Sequence, residues 1–313
     1  MGAIAQGAGI TAERPKQPAA RTNFRARARF WDRVMTGVMW TLAGGIVALL
    51  LYIILYLLLK GIHVISWSFI TAATVNSATD GPEVFNTFYI IVLALLICIP
   101  FALSASIYLV EYARQGPFTT VVRFATETLA GVPSLLIGLF GFLLFVTNFG
   151  QGQRWGYSRL AGALTLVILN LPVLLSVFED ALRKVPTELR EASAALGARK
   201  IQTVGRVLIP TAFPSLITGV ILTAGKMIGE TAALIYTAGG SSSINGWFSL
   251  NPFVSGDTLT IKLYQLQAEG ITPNAAEVQA GTATLLILLL LTFNLGLRWA
   301  AAYLNRRITG STR

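Results

Sequence analysis

Apolar runs long enough to cross a lipid bilayer recur six times along this chain, and no other feature limits its fold so strongly. They cover residues 34–59, 85–110, 126–146, 158–178, 214–237 and 282–303. Each is near or above the ~20 residues a helix needs to traverse the hydrocarbon core. Only 12% of the 313 residues are charged and 54% are hydrophobic, whereas a soluble domain carries roughly a quarter charged residues. The fold class expected is therefore all-α: a polytopic membrane protein with six transmembrane helices.

The charges that remain set the orientation. With both termini inside, 19 of the 24 Lys and Arg residues fall in inner segments and four (Lys60, Arg154, Arg159 and Lys262) in outer ones, leaving Lys226 within a span. The positive-inside rule then puts both termini in the cytoplasm. The net charge of +10 suggests nucleic acid at first sight. Its confinement to alternate loops argues instead for topology control. Residues 1–33 read as a basic, disordered cytoplasmic tail, 34–59 as a retained first span, and 85–303 as the transmembrane domain. The one cysteine, Cys98, sits inside an apolar run and reads as a small hydrophobe. One histidine, His63, and no Cys/His cluster give no basis for a metal site.

Three spans carry helix breakers: Pro100, the Gly131-Val132-Pro133-Ser134 run, and Asn170-Leu171-Pro172. Backbone groups freed by proline within a bilayer must be satisfied by protein or by a water-filled cavity. Pro133, Ser134, Asn170 and Pro172 are thus candidate linings of a pathway, with plain packing kinks as the alternative. Lys226 and Glu230 lie deep in the fifth run, four residues apart and so on one helix face. Ionisable residues there are costly and usually face a bundle interior. They read either as contacts for a polar solute or as a self-neutralising pair. Because the pair is formally neutral, anion selection would need a donor excess elsewhere or Lys226 freed to bind the solute.

The segment 179–210 is polar, holds six basic residues and lies on the cytoplasmic side. Thr187 reads as an N-cap with Glu188 in the first turn. Leu189, Ala192, Ser193 and Leu196 recur on one helical face, Gly197 stands at the C-terminal cap, and a second short helix ends at Pro210. The outer segment 238–281 holds one amphipathic stretch at 259–268. A phosphate-binding loop, G-x-x-x-x-G-K-[ST], is approached at Gly225-Lys226, but Met227 follows and Val220 stands where the first glycine belongs. Any ATPase is therefore expected on another chain.

Glu191-Ala192-Ser193, three residues, Gly197, nine residues, then Val207-Leu208-Ile209-Pro210 resembles the E-A-A-x3-G-x9-I-x-L-P loop of permeases from binding-protein-dependent ABC importers. Gly131-Val132-Pro133-Ser134, Gly138-Leu139-Phe140-Gly141 and Gly229-Glu230-Thr231-Ala232 resemble phosphate-importer permeases, and Asn251-Pro252-Phe253 the PstA type among them. The resemblance implies a type I importer permease fold with cytoplasmic coupling helices between helices 4 and 5, a bacterial inner-membrane location, and no enzymatic role. It also implies a PstC-like permease partner, a dimeric ATPase that binds ATP and Mg, and an extracytoplasmic phosphate-binding protein. In that frame Glu188, Glu191, Ala192, Ser193, Gly197, Ile209 and Pro210 belong to the coupling loop, and Lys226 and Glu230 to the phosphate pathway. An importer of another oxyanion (molybdate or sulfate) or of a polyamine, and an ATP-independent secondary transporter, are the competing readings.

Overall fold

The computed structural model describes residues 20–72, 79–114, 116–147, 156–239, 248–269 and 274–309, and every regular element among them is a helix. Five helices are long and apolar enough to cross a membrane, and a bent pair makes six if counted as one span.

The first helix, α1, runs Ala20–Gly61. Residues 20–33 are thus helical rather than a separate disordered tail. Alanine and arginine, which dominate that stretch, are strong helix formers, and the adjoining span spares them a new nucleation step. Residues 1–19 of the expected tail lie outside the described residues. The chain divides into two compact units, one ending at Tyr56 and one starting at Leu57.

In the second unit α2 (Trp67–Thr71) is capped by Ser66, whose Oγ accepts from Phe69 N at 3.2 Å. Two long helices then form the centre. α3 (Gly81–Ile107) begins on Pro82, runs through Pro100, and ends in a π-turn, Tyr108–Tyr112. Ile90, Ala94, Cys98, Ala102 and Ser106 recur every fourth residue on one side of it and are fully buried. Lipid tails are as apolar as leucine, so close approach over small residues is what makes a membrane helix pair hold. The cysteine is a packing residue, as the sequence suggests.

The expected third span is a corner. α4 (Pro117–Ala130) and α5 (Ser134–Gly141, prolonged by a π-turn Phe142–Thr147) meet at 100°. The break falls at Gly131-Val132-Pro133, where the proline has no N–H to continue the ladder. α6 (Arg159–Arg183), by contrast, continues unbroken through Pro172. Asn170 Nδ2 donates to Leu166 O at 2.9 Å, and Leu169, Leu174 and Leu175 are buried around it. Packing on its flanks thus supports a continuous helix across the proline. Four of its first N–H groups find acceptors: Pro252 O and Val254 O for Leu160 and Arg159, Ser158 Oγ and O for Ala161 and Gly162. The orphan donors of a buried helix start are thus satisfied.

α7 (Thr187–Ala195) follows, then α8 (Lys200–Thr203), a π-turn (Val204–Leu208) and α9 (Ile209–Ile228) as one continuous helical rod. Pro210 does not end the second short helix. In the π-turn the N–H of Ile209 reaches back five residues to Val204 O, and this shift of the hydrogen-bond ladder lets the rod pass through Pro210, which has no N–H to give. The fifth span therefore starts earlier than residue 214 and stops at Gly229, and α10 (Ala232–Ile235) is a separate turn. Gly138 of α5 allows α10 to approach: a Cβ there would lie 2.8 Å from Ala233 Cα. α11 (Leu259–Glu269) matches the amphipathic stretch, and α12 (Ala275–Thr309) is the last span.

Candidate functional site

The polar segment between α6 and α9 folds as a helix, a glycine and a second helix. Pro186, not Thr187, occupies the N-cap, and Glu188 lies in the first turn, where its charge suits the helix dipole. Gly197 has φ of +78°. Its N–H donates to Ala194 O at 2.9 Å and the next N–H, of Ala198, to Ser193 O at 3.2 Å. This paired closure is a Schellman cap, which requires a left-handed residue at that position.

α7 turns outward a mixed face of leucines and acidic residues. Leu196 is 89% exposed, Leu189 and Ile201 are exposed, and so are Glu188, Glu191 and Ala192. Arg190 and Ser193, half-buried, point to the body of the protein. Arg190 pairs with Glu111 in the π-turn after α3 and donates to Leu182 O at 2.8 Å. Ser193 and Thr203 share a hydroxyl contact of 2.9 Å, and Lys200 donates to Glu111 O. Glu179, mostly buried, takes both Arg123 of α4 and Arg183 at 2.8 Å. The Arg190 contacts tie α7 to the near ends of α3 and α6, and Glu179 ties α6 to α4. Ile209 and Pro210 are half-buried at the start of α9.

Lys226 and Glu230 are not partners. Lys226 is exposed in the last turn of α9, where a cation complements the helix C-terminus. Glu230 follows the helix, is half-buried, and accepts from Ala233 N at 3.3 Å at the start of α10. Gly229 ends α9 between them, so the shared helix face expected from spacing is absent. Each charge is matched by a helix terminus, and Lys226 has no ion pair among the described residues. Its ammonium is thereby available to a solute. Of the four candidate lining residues, Pro133 is exposed and Ser134 half-buried at the α4–α5 corner. Asn170 and Pro172 are buried between helices, so neither breaks a helix nor faces open space in this structure.

The spacing of residues did not reveal a buried ionic cluster at the other end of the helices. Lys262 of α11, 3% exposed, lies 2.8 Å from Asp80 and 3.4 Å from Glu83, and also donates to Thr79 O. Thr282 of α12 donates to Asp80 at 3.1 Å. Asp257 lies buried nearby, and burial first, then the charge of Glu83, pushes its carboxyl up to about 8. The signal was present only as an Asp-x-x-Glu pair before one span and a lysine inside an amphipathic outer stretch. No group of three or more His, Cys, Asp or Glu residues suited to a metal occurs among the described residues.

Against known proteins, residues 99–310 match the family model "Binding-protein-dependent transport system inner membrane component". A probable ABC transporter permease, YqgI of Bacillus subtilis, is 36% identical over 292 residues, covering 90% of this chain and 98% of that protein. The phosphate transport system permease PstA of Haemophilus influenzae is 31% identical over 262 residues, covering 82% and 86%. PstA of Mycobacterium leprae is 44% identical over 154 residues, 49% of each chain. Among solved structures, a bacterial alginate ABC transporter in complex with its pentasaccharide-bound periplasmic protein aligns with TM-score 0.64 at 14% identity. The alignment covers 93% of this chain and 99% of that one, a likeness of fold.

Proposed function

The chain belongs to the family of binding-protein-dependent transport system inner membrane components, and from that premise we propose that it is the PstA-type permease of an ATP-driven importer of inorganic phosphate. It forms half of the translocation path, a PstC-like permease the other half. A separate ATPase dimer binds ATP and Mg, and an extracytoplasmic binding protein delivers phosphate. Both termini and α7 face the cytoplasm.

One observation carries the coupling role. α7 exposes Leu189 and Leu196 while Arg190 and Ser193 tie its other side to the membrane helices. Exposed leucines on a tethered helix suit a partner's groove, the Arg190 contacts carry its displacement to α3 and α6, and Glu179 of α6 passes it to Arg123 of α4. Lys226, with Glu230, Pro133 and Ser134 around the helix breaks, handles the anion. The PstA names of relatives support phosphate over molybdate, sulfate or a polyamine. A pull-down from native membranes tests the assembly: wild-type chain retains the ATPase, and Leu196→Asp loses it while still inserting. Retention by Leu196→Asp contradicts docking through α7.

A further inference from the structure

The exposed residues of α9 form one line. They are Thr211, Ser215, Thr218, Leu222 and Lys226, spaced by four, three, four and four, so they share a single face of the helix. Four of the five are polar. α6 likewise exposes Ser176, Asp180 and Arg183 and nothing apolar. The two helices pack together. A crevice of about 500 Å³ lies between them, with Asp180, Lys184, Ser215 and Thr218 on its walls. α3 presents the opposite composition, with Val92, Leu96 and Phe101 as exposed large residues. That face suits lipid. Ser215 and Lys226, within the span and with no side-chain partner among the described residues, do not suit it, because hydrocarbon offers them none, and Asp180 and Lys184 mark the cytoplasmic end of the crevice.

We propose that this line and crevice are a continuation of the oxyanion path, running from Lys226 along α9 to Lys184 at the α7 end; the proposal rests on the phosphate-permease reading above. From Thr211 to Lys226 the line covers about 22 Å at 1.5 Å per residue, most of the hydrocarbon thickness. Ser215 makes no side-chain hydrogen bond among the described residues, and Thr218 donates only to Pro214 O at 2.8 Å, within its own helix. Both hydroxyls can turn to an anion's oxygens. Lys184 has no ion pair among the described residues and supplies the cation at the far end. Asp180, one turn before it, keeps the anion from being held too tightly, as release into the cytoplasm requires.

The test uses the assembled transporter with Cys98→Ala, which removes the chain's one cysteine. Ser215→Cys, Thr218→Cys and Lys226→Cys are each exposed to a charged, membrane-impermeant methanethiosulfonate in inside-out vesicles. All three are expected to react, with inorganic phosphate slowing Ser215→Cys and Thr218→Cys several-fold. Reaction at Lys226→Cys alone, or at positions 215 and 218 only with a lipid-soluble maleimide, overturns the extended path and leaves the permease reading standing. Reaction that no oxyanion slows, together with wild-type uptake by the near-isosteric Thr218→Val, also overturns it. Slowing by sulfate or molybdate but not phosphate upholds the path and removes phosphate as the solute.

Discussion

Two lysines show how differently the same side chain is used. Lys262 is buried, held by Asp80 and Glu83, and bonded to a backbone carbonyl. Lys226 is exposed at the end of α9 with only a helix terminus to balance it. A cation whose hydrogen bonds are already committed fastens helices; one left open can meet a passing anion. Lys262 therefore reads as a fastener of α11 to the start of α3, and Lys226 is the cation we propose for the solute path.

The sharpest way to break this contrast is to remove the fastener. Lys262→Met strands two buried carboxylates, and loss of one partner from a buried pair costs about 3–5 kcal/mol. The variant is expected to lose most of its thermal stability in detergent and to accumulate poorly, with partial recovery when Asp80→Asn and Glu83→Gln remove the stranded charges. Equal stability of Lys262→Met and wild type would erase the distinction. Gly197→Pro comes next. Proline cannot adopt φ of +78° and deletes the N–H bound to Ala194 O, so uptake is expected to vanish with membrane insertion intact. Gly197→Asn, which tolerates the left-handed region, should keep most activity.

Lys226→Gln should depress uptake by an order of magnitude or so without changing stability, and Lys226→Arg should retain it, since a guanidinium also binds oxyanions. A stability loss for Lys226→Gln comparable to that of Lys262→Met would make both lysines structural. The smallest effect concerns pH. Asp257 keeps its proton up to about 8 in the folded protein, whereas an unfolded chain releases it near about 4. Between those values the unfolded state binds fewer protons, so stability falls as pH rises across the window and levels off above it. Asp257→Asn should flatten that slope in melts recorded from pH 5 to 9.

Much of this was legible in the sequence because its signals are local. Long apolar runs mark spans, the Glu191-to-Pro210 spacing marks the helix–glycine–helix, and Gly131-Pro133 marks the corner. What failed depended on tertiary support. Prolines 172 and 210 looked like stops, yet packing keeps α6 continuous and a π-turn lets the rod pass into α9. The Lys226–Glu230 pair was inferred from i,i+4 spacing, which fails where Gly229 ends the helix. The Asp80–Glu83–Lys262 cluster joins residues about 180 positions apart, a contact that periodicity cannot encode. The stripe from Leu189 to Leu196 was readable, but not that its leucines turn outward while Ser193 turns in.

The central claim, that this chain couples ATP hydrolysis elsewhere to phosphate entry here, meets its most direct test in proteoliposomes. The chain would be reconstituted with its partner permease and ATPase, with ATP inside the vesicles' cytoplasmic-facing compartment and loaded phosphate-binding protein opposite. Labelled phosphate should accumulate only with ATP, and Gly197→Pro should abolish accumulation without dissolving the complex. Accumulation driven by a proton gradient in the absence of ATPase, unaffected by Gly197→Pro, would contradict it.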